Sequence, residues 1–169
     1  MSIVIRRVVS DDDVQSVSVL LSRFEAEVTE LLLRDYGLVF ADLAPGAGLL
    51  TELRSVMVPP GFLLLGSVDD QPAGTAGLRA LDDGVGEVKR MFVDPALRGR
   101  GLARGLLSGL LESAGDFHTL LLESAEWMTE AHALYRSVGF EDCEPYAGRE
   151  FAGVDGAVEH SHFMRLKLP

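Results

Sequence analysis

The stretch Glu87-Val-Lys-Arg-Met-Phe-Val-Asp-Pro-Ala-Leu-Arg-Gly-Arg-Gly-Leu-Ala-Arg-Gly-Leu-Leu107 decides the fold. Val85 to Val93 is rich in β-branched and apolar residues, the composition of a half-buried strand. Asp94-Pro95 ends it, because proline cannot donate to the ladder and restricts the residue before it. From Leu102, apolar residues recur at Leu106, Leu107, Leu110, Leu111 and Ala114, which marks one face of a helix. Between strand and helix lies Arg98-Gly99-Arg100-Gly101-Leu102-Ala103, followed by Arg104. Its two glycines let backbone N–H groups approach an anion closely. The helix N-terminus adds partial positive charge, and the arginines add full charge. The reading predicts an anion cradle on the rim of a sheet.

Three kinds of phosphate cradle compare with this one. A Walker-type loop needs Gly-Lys followed by Ser or Thr, and none follows. A dinucleotide fingerprint needs G-x-G-x-x-G and an acidic residue about 20 positions later. Gly99 and Gly101 fit it, Arg104 stands at the third glycine position, and Glu123 ends the next strand at a tolerable distance, which keeps a nucleotide-binding oxidoreductase as an alternative. The third pattern, R-x-x-G-x-A after a strand ending in V-D-P, resembles the coenzyme A loop of the GNAT superfamily of N-acetyltransferases. Arg98, Gly101 and Ala103 fall on its fixed positions.

A second segment resembles the same superfamily. Leu120-Leu-Leu-Glu-Ser-Ala-Glu-Trp-Met-Thr-Glu-Ala-His-Ala-Leu-Tyr-Arg-Ser-Val-Gly-Phe140 reads as strand, connection, helix and a glycine stop. Ala131, Leu134, Tyr135, Gly139 and Phe140 match the spine Ala-x-x-Leu-Tyr-x-x-x-Gly-Phe without insertion. Met128 departs from it, standing where many members carry a coenzyme-contacting asparagine. Asp35-Tyr-Gly-Leu38, the Pro59-Pro-Gly61 turn, Glu87-x-Lys-Arg90 and Phe163-Met-x-Leu-x-Leu168 look like landmarks of a bacterial subgroup acting on small amines. The resemblance covers most of the chain, and its two central blocks carry the specificity.

The 169 residues are read as one domain, 1–169, large enough to bury a sizeable core. The apolar runs, such as Leu31 to Leu33 and Phe62 to Leu65, are far short of a membrane span. Met1 to Arg7 reads as a first strand, since its charges follow the apolar residues and no small-residue cleavage site appears. A single cysteine, Cys143, excludes an intramolecular disulfide and fits a reducing cytoplasm, the expected location. A net charge of −11 argues against nucleic acid and anionic membranes as partners and favours cationic ligands.

Ile3 to Val9 is expected as strand one, and Ser10 with Asp13 as a capping box. Val14, Val17, Leu21, Phe24, Val28 and Leu31 form one stripe of a long helix. After a connection at Ala44 to Gly48, Leu49 to Met57 reads as a short helix. Phe62 to Val68 and Pro72 to Leu81 read as strands joined by Asp69-Asp70, and Asp82-Asp83-Gly84 turns into the next. Thr119 to Glu123 reads as a fully buried strand. Glu141 to Tyr146 and His162 to Leu168 are expected to close the sheet, with Ala147 to Val158 between them. A meander followed by strand–helix–strand predicts an α/β fold with a mixed, mostly antiparallel sheet flanked by helices, which is the GNAT arrangement.

The resemblance implies acetyl-CoA as cosubstrate, no metal, and direct transfer of its acetyl group to the primary amine of a small molecule. A homodimer is compatible with it. It implies that a bulge splays the strand Val85 to Val93 from Thr119 to Glu123, so that pantetheine pairs with backbone near Met91, Phe92 and Val93. An N–H at Val93 would then face the thioester oxygen as it gains charge. Arg98 to Arg104 would bind the pyrophosphate. Tyr135 stands at the position of the family's general acid, and a phenol is able to protonate a departing thiolate. Glu87 is the candidate base, set against a solvated rim salt bridge with Lys89 or Arg79. A catalytically idle acyl-CoA sensor is the rival from a binding class. Arg34, Asp35, Tyr36 and Trp127 are candidates to border the amine pocket. His160 and His162, expected on one strand face, lack a third ligand for a metal. His118 and His132 read as isolated, and Cys143 as a buried thiol.

Overall fold

A computed structural model describes residues 1–31, 33–34, 48–149 and 157–169. Asp35, Tyr36, the connection at 44–47 and residues 150–156 lie outside them. In chain order the elements are β1 (Ile3–Arg7), α1 (Asp11–Leu31), α2 (Leu49–Val56), β2 (Phe62–Val68), β3 (Gln71–Asp82) and β4 (Val85–Val93). There follow α3 (Leu102–Glu112), β5 (Thr119–Ala125), α4 (Thr129–Arg136), β6 (Glu141–Asp142) and β7 (Ser161–Lys167). The strands form one seven-stranded sheet in the order β1-β2-β3-β4-β5-β7-β6. Every adjacent pair is antiparallel except β4 with β5. No helix among the described residues is long and apolar enough to cross a membrane.

Two apolar layers cover the two faces. Leu64, Leu78, Val88, Leu120 and Leu122 meet Leu106, Leu107 and Leu110 of α3 and Tyr135 of α4 in one core. On the other face Leu63, Leu65 and Phe92 meet Val14, Val17 and Leu21 of α1 and Leu53 and Val56 of α2. Burying each such Leu contributes about 1.5–3 kcal/mol. Helix α3 sits close to the sheet: a Cβ on Gly66 would come within 2.7 Å of a Leu102 methyl. That contact fixes where the helix starts, and so where its first-turn amides point.

Helix α1 begins with the expected capping box. Asp13 N–H donates to Ser10 Oγ (3.2 Å), and the Asp13 carboxylate accepts from the N–H groups of Ser10 (3.3 Å) and Val9 (3.1 Å). Arg6 donates to the same carboxylate at 2.5 Å and, with the Val9 N–H, holds Asp13 well below the usual carboxylate range. This also shortens strand one. Val8 N–H still reaches Leu63 O (2.9 Å), but the next amides belong to the cap, so the ladder stops at Arg7.

The central irregularity is a bulge in β4. Thr75 pairs with Phe92 and Gly77 with Lys89, so two steps along β3 match three along β4. The extra residue falls beside Arg90, a non-glycine residue at φ 56°. Its guanidinium forks onto both oxygens of Glu52 on α2, with Nε to Oε1 at 2.8 Å, which ties the bulge to that helix. On the other side, β4 pairs with β5 only at Val85, Gly86 and Glu87. Beyond Glu87 the two strands part.

Two expected strands differ from the structure. β5 runs to Ala125 and is half-buried, because Leu120 and Leu122 face the α3 layer while Leu121 and Glu123 alternate to the other side. β6 is only Glu141–Asp142, not six residues. Cys143 N–H adds one more bond to Phe163 O (3.0 Å), and Pro145 has no N–H with which to continue.

Candidate active site

Where β4 and β5 part, a cleft of about 720 Å³ opens. One wall is Met91, Phe92 and Val93, then Leu97, Arg98 and Gly99, then Gly101 to Arg104 at the start of α3. The facing wall is Trp127 to Ala131 with Leu134 and Tyr135 of α4, and Phe24 and Val28 of α1 complete it. The sequence-predicted coenzyme residues are therefore brought together, apart from Arg100. That side chain turns outward, its guanidinium 3.9 Å from Met1 Sδ.

The backbone supplies the cleft's donors. Asp94 N–H donates to Ala73 O (2.9 Å). Antiparallel alternation then turns the Val93 N–H away from β3, toward the side from which β5 has departed. At the turn, Gly99 and Gly101 have φ of 74° and 85°, a conformation that disfavours residues with a Cβ. A Cβ built on either meets no atom within 4 Å, so the space above the loop is open to a ligand. The first helical bond of α3 runs from Gly105 N–H to Gly101 O (3.0 Å). The amides of Leu102, Ala103 and Arg104 precede it and are free to bind an anion. Arg98 is held by its Nε, which donates to Val93 O (3.1 Å), and so bridges the end of β4 to the loop.

Tyr135 reaches the cleft from the inner face of α4. It is 5% exposed, and its ring lies 5.7 Å from that of Phe140. Burial pushes the phenol above its ordinary range, which favours the neutral hydroxyl. Met128 precedes α4 and makes no side-chain cap; its Sδ accepts from Ser124 Oγ at 3.6 Å. Trp127, a candidate for the amine pocket, lines the cleft.

Glu87 does not line the cleft but forms the last β4–β5 pair, with Leu121, at the point where the strands part. It alternates with Val88, which faces α3, so its side chain leaves from the opposite face of the sheet. Its side chain is 1% exposed, so the expected ion pair with Arg79 is present but buried rather than solvated. Oε2 accepts from Arg79 Nε (3.1 Å) and from a terminal guanidinium nitrogen (2.5 Å), and Oε1 accepts from the Tyr146 hydroxyl (2.7 Å). Arg79 stands directly across the β3–β4 ladder, which makes burial of this carboxylate tolerable. Tyr146 is the residue sequence reasoning missed. It lies in irregular chain after β6, where no periodicity marks a side chain that folds back.

The histidines also depart from expectation. His132 is not isolated: its ring stacks on His162 at 4.3 Å, and Nε2 lies 3.3 Å from Ser124 Oγ. Burial first, then the neighbouring charges of His162 and Arg136, lowers its pKa. His160 ends a 3-10 turn and pairs with Glu126 (2.9 Å), while His162 on β7 meets Asp142 (3.0 Å). Among the described residues no three His, Cys, Asp or Glu side chains converge as a metal site. Glu123, the acid of the dinucleotide alternative, has a side chain 5% exposed and accepts from Ser161 Oγ at 2.9 Å. Cys143 is half-buried, and burial raises its thiol pKa.

Comparison with known proteins agrees with this geometry. The chain is 38% identical over 103 residues to the uncharacterized N-acetyltransferase YedL of Escherichia coli, a match spanning 59% of this chain and 61% of that protein. It is 33% identical over 120 residues to an IAA acetyltransferase of Azospirillum brasilense, spanning 68% of this chain and 78% of that one. Among solved structures, PaiA N-acetyltransferase of Thermoplasma acidophilum in complex with coenzyme A superposes with a TM-score of 0.73 at 17% identity, covering 99% of this chain and 100% of that one. YncA of Salmonella typhimurium, a putative acetyltransferase solved with acetyl-CoA, gives 0.67 at 19% identity, covering 100% and 95%. The sequence profile of the acetyltransferase (GNAT) family matches residues 26–140, from α1 to the Gly-Phe that ends the α4 block, and the chain belongs to that family.

Proposed function

We propose that this acetyltransferase moves the acetyl group of acetyl-CoA directly to the primary amine of a small molecule, with no acyl-enzyme. The observation that carries the reading is the cleft itself. Free backbone donors of β4 and of the α3 N-terminus lie on one wall, and the Tyr135 phenol lies on the other. Acetyl-CoA supplies an activated thioester and an anionic pyrophosphate. The residues present suit it, since the space over Gly99 and Gly101 is open and both glycines already hold the conformation the loop needs.

Amides of Leu102 to Arg104, with Arg98 and Arg104, hold the pyrophosphate by charge-assisted hydrogen bonds. Backbone at Met91 to Val93 pairs with the pantetheine amides, and the Val93 N–H faces charge that develops on the thioester oxygen. Tyr135 gives its proton to the departing thiolate. Its raised pKa is compatible with that role, because the phenol only needs to be neutral beforehand. Glu87 takes up the proton of the incoming ammonium group.

The acceptor is read as a small cation. A chain of net charge −11 concentrates cations and repels phosphates. The test is kcat/KM with acetyl-CoA across amino acids, polyamines, amine-bearing antibiotics and lysine peptides. A small amine should give the highest value, and a peptide well above every small amine would overturn the assignment.

A further inference from the structure

The position of Glu87 leaves a gap in that scheme. A base must touch the proton it removes, directly or through one intermediary. Both oxygens of Glu87 are engaged, one by Arg79 and one by Tyr146, and its side chain is 1% exposed. An amine reaching the carboxylate itself would have to displace one of these partners. Tyr146 is different: it is half-buried, and its hydroxyl points its hydrogen at Glu87. A phenol oxygen bonded this way keeps lone-pair capacity to accept a second hydrogen bond.

Tyr146 is also firmly placed. Its ring stands edge-on to Phe163 at 6.0 Å and 85°. Its carbonyl accepts from Arg149 (3.4 Å). Arg79, while holding Glu87, also donates to Gly148 O at 2.7 Å. One guanidinium thus ties the carboxylate and the segment carrying Tyr146 to each other. Among the described residues, the charged and titratable groups around the pair are Arg79 from β3, Glu123 from β5, and Cys143 and Arg149 from the chain flanking Tyr146, with Lys89 two positions along β4 from Glu87.

We propose that Tyr146 is a catalytic proton relay between the acceptor amine and Glu87, a role that rests on the reading of Glu87 as the base. The ammonium N–H bond breaks as its proton bonds to Tyr146 Oη. The original Tyr146 O–H bond breaks as its proton bonds to Glu87 Oε1. The amine is left neutral, Tyr146 is unchanged, and the carboxylate becomes a carboxylic acid, so atoms and charge balance. No phenolate forms, which suits a hydroxyl whose pKa burial, and then the Glu87 charge, push above its ordinary range.

The experiment compares Tyr146→Phe, Glu87→Gln and the double variant, using the best amine from the panel and acetyl-CoA. The expected result is that each single variant loses about 10²-fold in kcat/KM for the amine at neutral pH, the ordinary scale for removing one proton-transfer group. The double variant should lose no more than either single one. All three should recover toward wild type as pH rises and the free amine accumulates, with the Kd for coenzyme A unchanged. If Tyr146→Phe is close to wild type while Glu87→Gln falls, the relay is overturned and Glu87 remains the base. If Tyr146→Phe falls but Glu87→Gln does not, the relay is overturned because its acceptor is dispensable. If neither falls, both the relay and the reading of Glu87 fail. Rates of the unaltered chain in H2O–D2O mixtures keep the test available should a variant not fold. Two protons in flight predict a bowed dependence on deuterium fraction, and a straight line overturns the relay.

Discussion

Valine in place of Gly101 separates binding from folding, and the structure contains its own control. Gly101 caps α3 at φ 85°, ψ −2°, and Gly48 caps α2 at φ 78°, ψ −6°, each with no atom within 4 Å of a built Cβ. A residue with a Cβ held in this left-handed conformation costs roughly 1–2 kcal/mol. Both variants should therefore stay folded, given a typical stability of about 5–15 kcal/mol. For a chain this size each should lower Tm by about 2–8 °C. On the proposed placement, only Gly101→Val puts methyl groups where the pyrophosphate would meet the amides of α3. Losing two hydrogen bonds to a charged phosphate, at about 1.5–3 kcal/mol each, weakens binding by roughly 10²-fold or more. Calorimetric titration with coenzyme A, beside melting curves of both variants, makes the measurement. A folded Gly101→Val with wild-type affinity would refute the placement, as would an equal loss in Gly48→Val.

Two further outcomes rest on single side chains. Arg98→Ala should weaken coenzyme A binding by about 10- to 100-fold, since it removes a charge-assisted bond and the strut to Val93 O; titration calorimetry reads it, and unchanged affinity places the pyrophosphate elsewhere. Asp13→Ala should cost about 0.5–2 kcal/mol by removing the cap of α1. Because the folded-state pKa of Asp13 lies below its unfolded value near 3.9, that difference should be full above about pH 4 and shrink as the solution is acidified further. Urea unfolding of both proteins from pH 7 to pH 2 checks the sign, and a gap that widens in acid contradicts it.

The parts that a linear pattern can encode were legible in the sequence. Strand Val85–Val93, the Gly-Arg turn and the helix from Leu102 follow from period, proline and glycine placement, and the structure has them at those residues. The capping box at Ser10 and Asp13 is local chemistry and forms as read. What escaped depends on contacts between distant segments. Arg90 is an ordinary residue in sequence, and only its fork to Glu52, 38 positions away, holds the bulge. Tyr146 meets Glu87 across 59 positions, and His132 meets His162 between α4 and β7. Arg79 was a foreseen partner of Glu87, but the burial of that pair was not legible, because it depends on the β3–β4 register and on Tyr146 folding back over it.

The central claim is that Tyr135 closes an acetyl transfer carried out in the cleft between β4 and β5. The direct measurement is the rate of amine-dependent coenzyme A release, with the acetylated amine identified by mass, for the wild type and Tyr135→Phe. Phenylalanine keeps the ring packed against Phe140 and removes only the hydroxyl. The account predicts turnover by the wild type and a kcat lower by about 10²-fold in the variant, with the Kd for coenzyme A unchanged. A wild type that binds coenzyme A but acetylates no amine, or a variant with undiminished kcat, would contradict it.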